Sequence, residues 1–363
     1  MTPNTAKLTR RVGRFTSATL ISRILGYARD ALVAHIFGGE HVTDAFYTAF
    51  RTSNLFRRLL GEGAFTSSFV PVFSETLKTR THDEVQDFLS SLYTCMLVIL
   101  IAVTAAGIIF APQIVRLIAP GFETVPEKFQ LTVLLTRWMF PFFLFIALAA
   151  LLSGVLNSLN HFFLSALAPA SLSVAEILYM LIVVRHLQPD AQLLGLTVAV
   201  VAGGAAHFAV QLPQLKKEKF RLSWKWNWSH PGVKKVSVLM LPALIGLSAD
   251  QINAFVDTIC ATFLVEGSVT ALYNSNRLMQ LPLALFGVSV AMVTLPAMSA
   301  NSAERNYDEL AGIVNSSMRI IFYTILPASL GLMILARPIV ELLFQHGRFT
   351  PAAALLTARA LQG

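Results

Sequence analysis

Seven long apolar stretches recur along this chain of 363 residues and constrain its fold more than any other feature. Each is long enough for a helix that crosses the hydrocarbon core of a bilayer, which needs roughly 20 residues. Two further stretches are apolar but interrupted by charges, near 15–37 and 42–73, and a tenth begins near 351. The pattern predicts an all-α, polytopic transmembrane helical bundle. The seven stretches lie near 88–110, 131–156, 162–184, 192–213, 236–264, 268–298 and 312–335.

Composition supports this interpretation and excludes others. Hydrophobic residues make up 55% of the chain and charged residues 13%, with a mean hydropathy of +0.63. The charged share is about half that of a typical soluble domain. These values exclude a disordered chain, a nucleic-acid-binding domain and an ordinary soluble enzyme. The net charge of +8 is then explained by Lys and Arg retained on the cytoplasmic side of a membrane.

A basic linker at 215–235 divides the predicted spans into two groups. Six spans precede it, in a predicted amino-terminal lobe over 1–214. The others form a predicted carboxy-terminal lobe over 236–363, which starts a tenth helix without completing it. We therefore expect the natural chain to continue past Gly363. Two lobes of transmembrane helices are typical of transporters.

The distribution of basic residues predicts the orientation in the membrane. If the spans alternate, the side that holds the N-terminus and the linker carries 14 Lys and Arg, and the opposite side carries 5. By the positive-inside rule the first side is cytoplasmic. The linker residues Trp224, Trp226 and Trp228 stand next to lysines, which predicts an anchor at that membrane surface.

Charges inside the apolar spans are the strongest functional signal. A charge in the middle of a bilayer costs several kcal/mol, so it normally faces a partner or a water-filled cavity. In the first span, Arg23, Arg29 and Asp30 fall on one side of the helix. The second and eighth spans carry the others: Asp44, Arg51, Arg57, Arg58, Glu62 and Arg277.

Two explanations of these charges stay open. The arginines could pair with the carboxylates and hold helices together, or they could bind an anionic ligand. We favour the anionic ligand because the charged residues named above in the first, second and eighth spans include six arginines and only three acids. Guanidinium also binds phosphate through two parallel hydrogen bonds and stays charged at any relevant pH.

Other charged residues give weaker signals. Asp250 and Asp257 lie seven residues apart on one helix face. They either hold a cation or proton or pair with Arg277. Glu176 has no evident partner in the fifth span, so it either faces a cavity or pairs with another residue. The sequence contains no zinc, nucleotide-binding or hydrolase motif, so the pattern favours a transporter over an enzyme.

Four segments of the sequence resemble one known family. They are SRILGYARDALVAHIFGGEHVTDAFYTAFRTSNLFRRLLGEGAFTSSFVPVF at 22–73, APGF at 119–122, NRLMQLPLALFGVSVAMVTLP at 276–296 and LFQHGRFT at 343–350. The chain is similar to the MurJ/MviN lipid II flippases, of the multidrug/oligosaccharidyl-lipid/polysaccharide exporter superfamily. The resemblance implies two lobes around a central cationic cavity.

The resemblance also implies roles for the charged residues. Asp257 approximately matches an aspartate that binds sodium in some members, so a cation site there is a further hypothesis. The family commonly has a proline where this chain has Ser53 and an aspartate where it has Asn276. The residues expected to bind the substrate are Arg23, Arg29, Arg57 and Arg277. The residues expected to act in gating or ion pairing are Asp30, Asp44, Arg51, Arg58 and Glu62.

The expected function follows from the resemblance. Family members move lipid II, the undecaprenyl-pyrophosphate-linked peptidoglycan precursor, from the cytoplasmic to the periplasmic leaflet by alternating access. We expect a bacterial inner-membrane protein with a cytoplasmic N-terminus and no cofactor. Expected partners are lipid II, membrane lipids and other cell wall synthesis proteins. Coupling to sodium, protons or the membrane potential stays open, as do two alternatives: an exporter of another polyprenyl-linked oligosaccharide and a non-transporting membrane scaffold.

Overall fold

Helices form all the regular elements in the described part of the chain. The computed structural model describes residues 3–57, 63–288 and 306–363, with single positions at 290, 294, 298, 301, 302 and 304. The chain forms two compact units. Unit 1 comprises Met1–Val33 and Ala45–Leu264, and unit 2 comprises Ala34–Asp44 and Val265–Gly363.

Most of the helices belong to unit 1, although the end of α1 and the start of α2 belong to unit 2. Short 3₁₀ or π segments occupy Pro120–Thr124, Tyr179–Val183 and Val184–His186. The α-helices are α1 (Pro3–Phe37), α2 (His41–Phe56), α3 (Ala64–Thr79), α4 (His82–Ile109), α5 (Ala111–Ile118), α6 (Pro126–Ser158), α7 (Phe162–Leu167), α8 (Ala170–Leu178), α9 (Pro189–Ala209), α10 (Leu212–Lys217) and α11 (Pro231–Thr262).

Helix α6 lies at the centre of unit 1 because it has no polar face. Its most apolar stretch is 78% buried, against 33% for that of α4. A helix that is hydrophobic all round has to be covered by neighbours, and α3, α4 and α9 pack against it. Beside it, Phe65, Phe69 and Phe73 of α3 stack at one-turn spacing, with ring centroids 5.2 and 5.0 Å apart.

Unit 2 is built around one pair of packed helices. Its helices are α12 (Ser268–Pro282), a π segment (Leu283–Val288), α13 (Tyr307–Ile334), α14 (Ala336–Phe344) and α15 (Pro351–Gln362). Helix α12 packs on α15. The buried face of α15 includes Ala353, Ala354 and Ala358, and such small side chains let two helix backbones approach closely.

In the described part of the chain, one span that was predicted as continuous is divided between short helices. The interrupted stretch at 42–73 includes α2 and much of α3, and residues 58–62 between them lie outside the described set. The predicted span at 162–184 was wrong as a single helix, because it comprises α7, α8 and a π segment. Pro169 separates α7 from α8, because proline disrupts a continuous helical hydrogen-bond ladder. Among the described residues, four helices are long and apolar enough to cross a membrane, and a pair bent by 48° makes a fifth candidate. They are His82–Ile109, Pro126–Ser158, Ala191–Lys217 and Tyr307–Ile334, with Pro231–Gly246 and Gln251–Thr262 as the pair.

The compact units divide the chain differently from the predicted lobes. Helix α11 belongs to unit 1 and packs along α3, although it follows the linker. The lobe boundaries 1–214, 215–235 and 236–363 stay a prediction, because they were drawn from the order of the spans and the units reflect how helices pack.

Candidate anion-binding site

Arg29 lies buried in unit 1 and is bound to two carboxylates. The residue is 5% exposed. Its Nε and Nη2 donate to Oδ1 of Asp30 at 2.9 and 2.7 Å, and its Nη1 donates to Oε1 of Glu176 at 3.2 Å. Asp30 and Glu176 are themselves 1% and 2% exposed. The guanidinium also lies 5.8 Å from the ring centroid of Phe50. These contacts join α1 to α8.

The pairing corrects the comparison of charges drawn from the sequence. Glu176 had no evident partner, and the comparison of six arginines with three acids left it out. The structure shows that Glu176 binds Arg29 across 147 positions of the chain. Arg29 is therefore not a surplus cation. The available signal was a single acid within an apolar span in a chain rich in intramembrane arginine.

Arg23 differs from Arg29 because its side chain is exposed. It precedes Arg29 by six residues on α1, which is about 9 Å along the helix axis. Within the described part of the chain it makes no ion pair. Over the part of the first helix whose side chains are described, from Leu20 onward, Arg23 presents an exposed guanidinium and Arg29 lies in a buried charge cluster.

Arg51 of α2 and Arg57, which directly follows α2, each donate to a neutral side chain. Nη1 of Arg51 donates to Oγ1 of Thr258 on α11 at 2.8 Å. Nε of Arg57 donates to Oδ1 of Asn54 at 2.7 Å. Both arginines are half-buried. Their expected roles in gating and substrate binding stay predictions. Arg58 and Glu62 lie outside the described residues.

Asp44 caps a helix in unit 2. Its carboxylate accepts hydrogen bonds from the N–H groups of Gly267 and Thr270 at 2.8 and 2.9 Å and from Oγ1 of Thr270 at 2.7 Å. These donors stand at the start of α12, where the helix dipole favours a negative charge. Gly267 has a φ of +88°, and a Cβ there would lie 2.6 Å from the carbonyl oxygen of Gly39. The sequence suggested an arginine partner for Asp44 and gave no sign of this capping role.

The remaining candidates are Arg277 and the two aspartates of α11. Arg277 is half-buried in α12 of unit 2. One turn before it, the fully buried amide of Asn274 has no hydrogen-bond partner among the described residues. Asp257, in unit 1, is exposed, and the side chain of Asp250 is outside the described set. No group of three or more metal-ligating side chains occurs in the described chain, and the cation site at Asp257 stays a prediction.

Solved structures identify the fold. An inward-facing MATE-family multidrug transporter of the MOP superfamily superposes with a TM-score of 0.74 at 16% identity, covering 96% of this chain and 79% of that one. At that identity the likeness shows the fold alone. The all-α architecture is therefore that of the MOP-superfamily transporters, and the predicted fold class is confirmed.

The sequence comparisons identify the family. Residues 33–363 match the family of the lipid II flippase MurJ, and the chain belongs to that family. A solved MurJ in the inward closed conformation has a TM-score of 0.81 and 28% identity, covering 96% of this chain and 71% of that one. The chain is accordingly a multi-pass membrane protein.

Two relatives show how far the likeness extends. The probable lipid II flippase MurJ of Vibrio cholerae is 37% identical over 345 residues, which is 93% of this chain and 65% of that protein. The lipid II flippase MurJ of Burkholderia cenocepacia is 37% identical over 347 residues, or 94% and 67%. The chain thus spans about two thirds of the length of these relatives.

Proposed function

We propose that this protein moves lipid II from the cytoplasmic to the periplasmic leaflet by alternating access, for cell wall biosynthesis. The observation that carries the proposal is membership of the MurJ family over residues 33–363. Relatives with 37% identity bear the name lipid II flippase. The pyrophosphate of lipid II is the anionic group that the intramembrane arginines would bind.

The Arg29 cluster suggests how a buried guanidinium could reach a substrate. Asp30 holds Arg29 through two contacts of 2.9 and 2.7 Å, whereas Glu176 holds it through one of 3.2 Å. A pyrophosphate carries more negative charge than a carboxylate and binds guanidinium through paired hydrogen bonds. It would therefore displace Glu176 more readily than Asp30. Arg23, exposed on the same helix, would make the first contact.

An exchange of this kind would link binding to conformational change. The contact between Arg29 and Glu176 ties α1 to α8, and a substrate that replaces Glu176 releases that tie. A ligand shifts a conformational equilibrium only through different interaction energies in the two states, and losing this contact supplies such a difference. Arg57 and Arg277 remain candidates on the strength of the resemblance. Sodium, protons and the membrane potential stay open as driving forces.

The test is complementation in cells depleted of their own lipid II flippase. We expect Arg23→Ala to fail to support growth while the amount of protein in the membrane stays normal, because its exposed side chain stabilises little of the fold. The matched control is Arg137→Ala, which removes an exposed arginine from α6 and should support growth. Growth with Arg23→Ala would show that this guanidinium does not bind the substrate.

A membrane scaffold is the second candidate, and the pairing of Arg29 with two acids favours it. The two functions differ in what depletion does. Loss of a lipid II flippase should cause lysis with accumulated precursor and less lipid II accessible at the outer leaflet. Loss of a scaffold should leave the distribution of lipid II between leaflets unchanged. Loss of an exporter of another polyprenyl-linked oligosaccharide should cause that compound to accumulate instead of lipid II.

We further propose a bacterial inner-membrane location with a cytoplasmic N-terminus. The support is the basic linker, where residues 215–235 hold seven Lys and Arg and one acid. With Cys95 and Cys260 replaced by alanine, a cysteine introduced in place of exposed Ser229 should resist a membrane-impermeant thiol reagent added to whole spheroplasts. Labelling before lysis would contradict this orientation.

A further inference from the structure

The segment that connects α10 to α11 lies along α4, and its hydrogen bonds to α4 repeat at a regular interval. We call residues 218–230 the strap. Hydrogen bonds tie it to side chains one helical turn apart on α4. Four helical residues rise about 6.0 Å, and two extended residues rise about 6.6 Å, so the two repeats match. The bonded pairs are Gln86 with the Arg221 backbone (2.6 and 3.0 Å), Ser90 with Ser223 (2.7 Å) and Thr94 with the Lys225 N–H (2.8 Å).

This register leaves an alternating row of large apolar side chains on the even-numbered positions. In an extended chain, successive side chains point to opposite faces, and the odd-numbered positions bind α4. Phe220 is buried and Leu222 is partly buried, and both pack into the core that α3 and α4 share. Trp224, Trp226 and Trp228 continue the row but are 64%, 58% and 41% exposed. The row therefore begins in the core and ends on the surface.

The position of the strap accounts for this exposure. It joins two segments that are candidates for crossing a membrane, Ala191–Lys217 and the bent pair that begins at Pro231. A short connection between two spans has to lie at a membrane surface. Tryptophan is enriched at that boundary, because its ring is apolar and its N–H can still bond to headgroups or water. Neighbouring strap rings also contact one another, with centroids 6.4 and 5.6 Å apart.

The charge of the strap and its flanks matches an anionic surface. Lys225 pairs with Asp87 at 2.5 Å, and Lys235 pairs with Glu75 at 2.6 Å. Lys216, Lys217 and Lys219, at the amino-terminal end of the strap, are exposed and make no ion pair within the described residues. A cluster of basic residues next to a transmembrane helix attracts anionic lipids of the adjacent leaflet.

We propose that the strap is a binding surface for anionic lipid headgroups. The rings of Trp224, Trp226 and Trp228 lie at the boundary between headgroups and acyl chains, and the three lysines contact lipid phosphates. Because strap backbone and side-chain atoms are bonded to α4, lipid bound there holds α4 and α11 to the same membrane surface. The proposal does not depend on which compound the protein transports.

Intrinsic fluorescence can test the proposal directly, because three of the four tryptophans of the chain lie in the strap. A Trp138→Phe variant leaves the three strap tryptophans as the only source of tryptophan emission. The protein is reconstituted into phosphatidylcholine vesicles that contain phosphatidylglycerol, with bromine on the acyl chains of one lipid or the other. At equal mole fraction, we expect brominated phosphatidylglycerol to quench about twofold more than brominated phosphatidylcholine.

Charge variants separate lipid preference from membrane insertion. Lys216→Gln with Lys217→Gln and Lys219→Gln should remove the preference for phosphatidylglycerol while quenching by phosphatidylcholine persists. The control, Arg116→Gln with Arg185→Gln, removes exposed positive charges elsewhere and should keep the preference. Equal quenching by both lipids in the parent protein would overturn the proposal. So would absence of quenching, with fluorescence that depends on protein concentration, which would indicate contact between copies of the protein.

Discussion

Arg29 in unit 1 and Asp44 in unit 2 are both buried charges, 5% and 1% exposed, but different groups stabilise them. Arg29 is bound by carboxylates from two side chains, Asp30 and Glu176. Asp44 is bound largely by backbone N–H groups at the start of α12. Side-chain partners can rotate away without unfolding a helix, whereas helical N–H donors are fixed in place.

The difference suggests which residue takes part in a moving site. A guanidinium held by side chains can exchange one partner for a ligand, because the released carboxylate can find water or another donor. A carboxylate that caps a helix cannot leave without exposing unsatisfied N–H groups, which are costly when buried. Arg29 is therefore suited to substrate exchange, and Asp44 is suited to holding α12 in place.

The largest effect is expected from Arg29→Ala. Removing it leaves two buried carboxylates without this cation, and breaking a buried ion pair typically costs about 3–5 kcal/mol. Thermal unfolding in detergent should show the loss. Arg29→Ala combined with Glu176→Gln should recover part of it, because one stranded charge is removed. If the single variant unfolds at the parent temperature, the cluster does not stabilise the fold.

Asp44→Ala should be the next most damaging change. It removes a helix cap and leaves buried N–H groups without an acceptor, at a combined cost of about 2–3 kcal/mol. Asp44→Asn retains one acceptor oxygen and should lose less. The control Asp308→Ala removes an exposed acid from the first turn of α13. Equal stability of Asp44→Ala and this control would contradict the capping role.

Glu176→Gln should cost less, about 1 kcal/mol, because the amide oxygen can still accept from Arg29. Its main effect should be on anion binding. With a weaker competitor for Arg29, farnesyl pyrophosphate should bind more tightly to the variant, and Asp44→Asn should leave binding unchanged. Isothermal titration measures both. Weaker binding by Glu176→Gln would show that this carboxylate does not compete with the ligand.

The smallest effect should come from a second cap, at His230. Its Nδ1 accepts from the Gly232 N–H at 3.1 Å, and its ring stacks on Phe88. Burial lowers the pKa of His230 below its ordinary 6.5, with a smaller opposing effect of Asp87 and a smaller lowering effect of Lys225. The neutral ring is the form that caps α11.

The sign of the pH effect follows from this lowered pKa. Stability is fully present above pH 6.5 and is lost as pH falls through the folded-state pKa. Between pH about 7.5 and about 5, we expect the free energy of unfolding to fall more in the parent than in His230→Asn, by less than about 1 kcal/mol. Thermal unfolding at the two pH values measures this difference. An identical pH dependence in both proteins would show that His230 is not the titrating cap.

Part of the fold and site could be predicted from local patterns. Apolar stretches and their lengths indicated helices and a membrane protein, and the spacing of Arg23 and Arg29 placed both on α1. Adjacent residues also made the pair of Arg29 and Asp30 a natural possibility. The break in 162–184 was missed because hydropathy alone extends a span across a proline.

Partners distant in the chain could not be predicted. Glu176 and Arg29 are 147 positions apart, and Asp44 and Gly267 are 223 positions apart. In neither pair does the residue pattern around one partner indicate which distant residue it contacts. The register between the strap and α4 could not be predicted either, although the alternating apolar residues of the strap, from Phe220 to Trp228, could be seen in the sequence.

The sequence alone determined that the chain crosses a membrane and that arginines occur within its apolar helices, because burial preference and helical period are local properties. Tertiary packing decided which of those charges are neutralised, by which groups, and which guanidinium stays exposed. The reason is electrostatic: the cost of a buried charge depends on the few ångströms around it, and those neighbours are set by how distant helices meet.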